Sequence, residues 1–328
     1  MVNLPCVTLH YYLMRSVTLI APAKINLYLE IIGSRPDGFH ELAMVLQTIS
    51  LSDRITINPI GIDAITIRSN DPSLPNDHSN LAYRAAALMV KQFPDMMARY
   101  GGIEIEINKR IPVAAGLAGG SSNAAAVLVG LDLIWDLGLT QDELQTLGAE
   151  IGSDVPFCIS GGTALATGRG EVLSPLLNLD NLYVVLAKFR NIAISTPWAY
   201  QTYRQQFSSS YISEADDLKS RQQRVHSGPM VAAIMKRDGA KIGQLLHNDL
   251  EKVALPEYPQ VADLRDAFIA QGVLGAMMSG SGPTVFALVE SQAEADRVSD
   301  AVQNQIANQN LLLWTTKFVS TGIHLAES

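Results

Sequence analysis

Ile25, Leu27, Leu29 and Ile31 alternate with Asn26, Tyr28 and Glu30. A period of two predicts a strand with one buried face. Together with VTLI, the stretch from Val17 to Gly33 reads as a strand, a break at Pro22 and a second strand, closed by the loop GSRPDGFHE. The β-rich runs DRITINPI and AITIRS follow, then a helix from Asn80 to Phe93. GIEIEINKRIP alternates again from Ile103 to Ile111. Beyond a glycine-rich stretch, TQDELQTLGAEIG predicts a helix opened by a capping box of Thr140 and Glu143. GSDVPF predicts a turn or short helix, and TALATGRGEVLSPL and NLYVVLAKF predict strands. Gln205 to Pro229 is polar and reads as a solvated connection with some helix. Val231 to Val253 reads as helical, and GVLGAMMSGSGPTVFALVE as strand, loop and strand. The helix AEADRVSDAVQNQIANQ and the strand LLLWTTKFVS finish the chain. Strands and helices mix without regular βα alternation, which predicts an α+β fold rather than a doubly wound sheet.

The 328 residues suffice for one large domain or two ordinary ones. Apolar residues at 48% and charged residues at 17% predict a folded chain. A formal charge of −8 argues against broad nucleic-acid binding, which needs a basic footprint, but leaves a small anionic ligand open. The two cysteines, Cys6 and Cys158, form no metal-ligand spacing, so a reducing compartment, the cytoplasm, is expected. The N-terminus lacks the basic start of a secretory signal. Met14 stands just before the first strand pattern, so Met1 to Leu13 reads as an extension outside the core.

The stretch PVAAGLAGGSSNAAAVLVGLDLIW, Pro112 to Trp135, carries the chemistry. Its apolar part, Ala124 to Leu137, is shorter than the roughly 20 residues of a membrane-spanning helix and contains Asp132 and Asp136. No membrane partner is therefore expected. Ala124, Ala125, Val127, Leu128, Leu131 and Ile134 read as core. The preceding loop is harder to explain by packing alone, because Gly116, Gly119 and Gly120 raise the entropy lost on ordering it. Glycines admit a ligand close to backbone N–H groups, and Ser121 and Ser122 stand where a helix cap belongs. A glycine-rich loop at a helix N-terminus is an anion site, most often for phosphate. The plain alternative is a glycine-rich turn before a buried helix. No Lys follows the last glycine, so the motif is not a Walker A loop.

With its flanks, this loop resembles the second motif of the GHMP kinase superfamily of galactokinase, homoserine kinase and mevalonate kinase. APAKINLYLEIIGSRPDGFHEL, IGSDVPFCISGGTALATGRGE and SGSGPTVFAL resemble further family blocks, in order, so the likeness covers nearly everything from Met14 on. There are departures. Ala114, Ala115 and Ala118 stand at positions usually held by glycine, and Phe39 where Tyr is frequent.

The resemblance implies two α+β domains, the first like ribosomal protein S5 domain 2 and the second ferredoxin-like, with the site between them. It sets them at about residues 1–175 and 176–328. It implies ATP as donor, with its phosphates on Pro112, Val113, Ala114, Ala115, Gly116, Leu117, Ala118, Gly119, Gly120, Ser121 and Ser122, and Mg²⁺ bridging them. Ser122 is a hydroxyl candidate for Mg²⁺, and no protein carboxylate is assigned as a metal ligand. Asp154 matches the family's catalytic base and Lys24 its catalytic lysine. Taken alone, each also reads blandly, Asp154 as a turn residue and Lys24 as a surface lysine. Asn26, two residues on and so on the same strand face, matches a substrate contact, and Ser195 and Thr196 resemble a segment near the substrate. Gly280, Ser281 and Gly282 resemble the third glycine-rich motif. Phe39 and His40 lie where one branch of the superfamily grips cytosine, by stacking and by hydrogen bonds to the base edge. That branch acts on 4-diphosphocytidyl-2-C-methyl-D-erythritol, an intermediate of the non-mevalonate isoprenoid pathway, and phosphorylates its 2-hydroxyl. A kinase for homoserine or mevalonate, whose substrates carry no base, and a sensor that binds nucleotide without turnover are the alternatives.

Overall fold

The computed structural model describes residues 16–212, 221 and 228–327. The extension from Met1 to Leu13 with Cys6, Met14, and most of the polar connection before Pro229 lie outside the described residues.

β1 (Val17–Ser34) and β2 (His40–Ile60) form a long antiparallel hairpin. β1 runs unbroken through Pro22, contrary to the expected break. The register shifts between Pro22 and Ala23, so the N–H that proline lacks falls at a bulge. The single buried face expected of β1 is also corrected. Lys24 and Asn26 are as buried as Ala23 and Ile25, because both faces of this segment are covered. β2 pairs through Arg54–Ile60 with β4 (Gly102–Asn108), and through Leu42–Gln47 with β5 (Thr163–Gly168). β3 (Ile65–Ser69) runs parallel to β4, and β6 (Val172–Pro175) folds back on β5. Two short strands from late in the chain join β1: β8 (His247–Asn248) and β12 (His324–Leu325).

A second antiparallel sheet has the order β11-β7-β10-β9, built from β7 (Tyr183–Phe189), β9 (Gly275–Met278), β10 (Val285–Val289) and β11 (Leu311–Lys317). In chain order its strands lie fourth, first, third, second, the arrangement expected of a ferredoxin-like sheet.

α1 (Leu81–Gln92) is capped by Asn80, and the short α2 (Asp95–Tyr100) follows it. α3 (Gly119–Trp135) is buried along most of its length against Leu19, Ile55, Ile57 and Ile105. Ile134 is only half-buried, and Trp135 takes the place it was expected to fill. α4 (Gln141–Ile151) carries the expected capping box of Thr140 and Glu143, and α5 (Val155–Ser160) packs beside it. On the opposite face, Ile25, Leu27, Val45 and Leu165 of the first sheet pack with Val184, Leu186 and Phe286 of the second. The two sheets thus share one core.

Helices α6 (Thr196–Phe207), α9 (Glu251–Glu257), α10 (Pro259–Ile269) and α11 (Gln292–Ile306) build the core beyond, around Val185, Ala187 and Phe268. The helical region expected over Val231 to Val253 is divided. α7 (Pro229–Met235) ends before Arg237, whose φ is +52°, and Asp238 caps α8 (Gly239–Gln244). The chain then extends as β8 before entering α9. Pairing with β1 outweighs the local helical preference there.

Candidate active site

A cleft of about 800 Å³ opens where β1, the loop before α3, α5, α6 and the β9–β10 loop converge. Of the expected phosphate loop, Pro112 to Ser121 line it. Ala114 and Ala118 hold φ of +49° and +57°, left-handed values that alanine adopts only under constraint. Part of that constraint comes from the second glycine-rich loop. A Cβ on Gly116, itself at φ +74°, would lie 2.1 Å from the carbonyl oxygen of Ser279. The Ser279 hydroxyl donates to the Gly116 carbonyl at 3.0 Å, and Asn248 Nδ2 donates to the carbonyls of Met278 and Gly280, each at 2.8 Å. The two loops pack backbone against backbone, which only glycine permits at Gly116.

Neither serine caps α3. Its N-cap is Ala118, with no side-chain bond, and the serines stand in the first turn. Ser121 lines the cleft. Ser122 is fully buried and donates from Oγ to the Pro22 carbonyl at 2.7 Å, so it ties helix to strand and is not available to Mg²⁺. The uncapped start leaves the N–H groups around Gly119, Gly120 and Ser121 at the cleft without intrahelical partners, an arrangement that attracts anions.

Asp53, which sequence reasoning missed, underpins this loop. Its wholly buried carboxylate accepts from the N–H of Arg110 at 2.7 Å, the N–H of Ile111 at 2.8 Å, Asn123 Nδ2 at 2.7 Å, and Lys109 Nζ. Burial lowers the pKa of Lys109, and the charge of Asp53 works against that shift. At the head of the run DRITINPI an aspartate has ordinary local roles, so nothing in that sequence singles it out.

Lys24 and Asp154 meet at the cleft floor. Nζ lies 3.5 Å from Asp154 Oδ2, with the side chains 5% and 29% exposed. Lys24 donates to Asn26 Oδ1 at 2.8 Å, and Asn26 Nδ2 approaches the Met44 sulfur at 3.4 Å. The Lys24 N–H donates to the Leu117 carbonyl at 3.1 Å, so strand and phosphate loop are tied next to the ammonium. Asp154 occupies the N-cap position of α5 but makes no capping bond, and its carboxylate is left for Lys24 and the cleft. One turn on, Cys158 is buried, and burial together with the Asp154 charge pushes its thiol pKa well up, so it stays a protonated thiol.

The other end of the cleft is aromatic. Phe39 is 51% exposed, while His40 is buried with Nε2 at 3.0 Å from the Tyr211 hydroxyl. The His40 ring lies 5.2 Å from that of Tyr200. Burial, helped by the charge of Arg204, lowers the His40 pKa to about 4, so the ring is neutral at pH 7. Arg169 stacks its guanidinium 5.0 Å over Phe39. Thr196 Oγ1 lies 2.8 Å from Ser281 Oγ, joining α6 to the β9–β10 loop at the cleft wall.

Lys24, Asn26, Phe39, His40, Asp154, Thr196, Gly280 and Ser281 therefore share one cavity. Ser195 and Gly282 do not line it. The Ser195 hydroxyl caps α6 through the Trp198 N–H, and Gly282 precedes Pro283 behind the wall. Lys109, Ser153, Arg169, Tyr200, Gln201 and Arg204 line the cleft without having been singled out. For Tyr200 and Arg204 the signal was an unassigned helix, α6, which brings both to the cleft.

The GHMP kinases N terminal domain model matches residues 80–162, and the GHMP kinases C terminal model matches residues 230–308. The chain belongs to the GHMP kinase family, whose members are ATP-dependent phosphotransferases. It is 65% identical over 313 residues to the 4-diphosphocytidyl-2-C-methyl-D-erythritol kinase of Trichodesmium erythraeum (strain IMS101), covering 95% of this chain and all of that one. To the enzyme of the same name from Nostoc punctiforme (strain ATCC 29133 / PCC 73102) it is 62% identical, with 96% and 100% covered. A crystal structure of 4-(cytidine 5'-diphospho)-2C-methyl-D-erythritol kinase superposes with a TM-score of 0.71 at 30% identity, covering 92% of this chain and 98% of that one. A homoserine kinase from Cytophaga hutchinsonii, at 19% identity and a TM-score of 0.74, shares the fold, with 95% and 97% covered. No helix among the described residues is long and apolar enough to cross a membrane.

Proposed function

We propose that the chain transfers the γ-phosphoryl group of ATP to the 2-hydroxyl of 4-diphosphocytidyl-2-C-methyl-D-erythritol. The observation that carries this reading is the Lys24–Asp154 pair, which lies in one cavity with both an open helix N-terminus and the Phe39–His40 end. Phosphoryl transfer asks mainly for positioning and charge neutralisation. The N–H groups of the Pro112–Ser121 loop hold the phosphates. Asp154 accepts the proton of the attacking hydroxyl as its oxygen bonds to the γ-phosphorus and the bond to the leaving ADP oxygen breaks. Lys24, steadied by Asn26, faces the developing charge. Phe39 stacks on the cytosine, and neutral His40 contacts its edge.

Mg²⁺ is the proposed companion of ATP, neutralising phosphate charge when bound. Asp154 is the one carboxylate among the residues lining the cleft, and a site of this kind fits an ion carried mainly by phosphate oxygens and water. A division into an N-terminal unit to about residue 175 and a C-terminal unit beyond it is supported by the sheets, since β1 to β6 belong to the first and β7, β9, β10 and β11 to the second, with β8 and β12 returning from the C-terminal part to pair with β1. The cytoplasm is the proposed compartment, supported by the free, buried Cys158.

The test is ATP- and Mg²⁺-dependent phosphorylation of 4-diphosphocytidyl-2-C-methyl-D-erythritol beside homoserine and mevalonate. Turnover of the cytidine compound alone is expected. Turnover of either other alcohol instead would overturn the acceptor, and ATP binding without any turnover would overturn the kinase reading.

A further inference from the structure

The chain carries a net charge of −8, yet its cleft is lined by Lys24, Lys109, Arg169 and Arg204 against the single carboxylate of Asp154. Two of these cations have partners at the phosphate-loop end. Lys24 faces Asp154, and Lys109 is held by Asp53. The other two stand at the aromatic end. Arg169, in the turn between β5 and β6, stacks over Phe39. Its acidic neighbour Glu171 is 3.6 Å from Nε and is engaged at 2.7 Å by the backbone N–H of Arg169 itself. Arg204, on α6, donates from Nη2 to the Gly38 carbonyl at 2.7 Å. Its Nε is shielded from solvent without a hydrogen-bond partner, and among the described residues it forms no ion pair.

Arg204 also lines the cleft, so an anion bound there would offset its charge. A guanidinium over an aromatic ring can still present N–H donors to two phosphate oxygens at once. Arg204 is anchored at Gly38 and Arg169 stands over the adjacent Phe39, so both guanidiniums meet one stretch of the cleft wall.

We propose that Arg169 and Arg204 form an anion subsite for the diphosphate of the acceptor, which selects a nucleoside diphosphate over an alcohol without one. This rests on the acceptor reading above and adds the group that enforces it. An alcohol lacking the diphosphate leaves Arg204 without a counter-charge and Arg169 with only its 3.6 Å contact to Glu171, so discrimination arises from underpaired charge as well as from the missing base.

The experiment measures calorimetric binding of cytidine and of cytidine 5′-diphosphate to the full chain. A saturating non-hydrolysable ATP analogue keeps both probes out of the donor site. The chain is expected to bind the diphosphate at least about tenfold more tightly than the nucleoside, a preference that shrinks as salt rises. Arg169→Gln and Arg204→Gln should each remove most of that preference while cytidine affinity stays within about twofold. In steady state the same variants should raise KM for the acceptor by a similar factor, with KM for ATP unchanged. Arg169→Lys should recover part of the loss. Equal affinity of the unaltered chain for both probes would overturn the subsite even if the acceptor is turned over. Equal weakening of both probes in the variants would overturn it too, since the arginines would then only brace Phe39. Failure of the acceptor reading shows separately, as absent turnover by the unaltered chain.

Discussion

Replacing Asp53 with asparagine removes one charge and almost no volume, so no cavity contributes to the outcome. The carboxylate takes two backbone N–H groups on Oδ1, and Lys109 and Asn123 on Oδ2. An asparagine can keep the first oxygen, but it presents an NH₂ group to two donors in place of the second. Lys109 then loses its counter-charge in a site where burial already disfavours the ammonium. Removing one partner of a buried pair typically destabilises by about 3–5 kcal/mol. For 328 residues the unfolding entropy is about 0.7 kcal/mol/K, so Tm should fall by about 4–7 °C. Adding Lys109→Met removes the orphaned charge and should recover at least half of that loss. The loop anchored by Arg110 and Ile111 leads directly into Pro112, so KM for ATP should rise more than KM for the acceptor. Scanning calorimetry at pH 7 and initial-rate kinetics on both variants give the answer. A single variant melting within about 1 °C of the unaltered chain, or a double variant no more stable than the single, refutes the reasoning.

Asp154→Asn should lower kcat by about 10²–10⁴ with ATP and acceptor affinities largely kept, and equal loss of binding would mark the residue as structural. Gly116→Ala must relieve a contact of 2.1 Å with a backbone oxygen and tolerate φ +74°, which alone costs about 1–2 kcal/mol. Its KM for ATP should rise and its Tm fall, and unchanged values would count against the loop-on-loop packing. Phe39→Ala should weaken the cytidine-bearing acceptor and leave ATP binding unchanged, as read by calorimetry with each ligand. His40 has its pKa lowered to about 4 by burial and by Arg204, so the unfolded chain binds its proton more readily. Stability should therefore fall as pH drops from about 6.5 to about 4 through this group, and His40→Gln should flatten denaturant midpoints over that window.

Local signals were legible where the cause is local. The capping box at Thr140 and Glu143 needs only its own residues, and it is present as read. The glycine spacing before α3 announced a backbone close to something. The sequence could not say that this something includes the Ser279 carbonyl, 163 residues away. Ser122 reads as a cap by position, yet its hydroxyl goes to the Pro22 carbonyl, 2.7 Å away, because β1 passes directly beneath the helix start.

The α+β class, most of the strands and the residue types of the candidate site were legible in the sequence alone, whereas α6 and the division of Val231 to Val253 by a strand were not. Periodicity, capping and turn chemistry act over a few residues and leave their mark in composition. Burial and partnership were decided by the tertiary structure. A period of two says which residues share a face of β1, but not that the second sheet would cover the Ile25 face while Asp154 and Met44 close over Lys24 and Asn26 on the other. Helical preference over Val231 to Val253 gave way to pairing of His247 and Asn248 with β1, an edge more than two hundred residues earlier. Asp53 became the anchor of the phosphate loop only when strand, loop and α3 brought four donors to one carboxylate. Such contacts depend on chain segments far apart in sequence, and no local pattern encodes them.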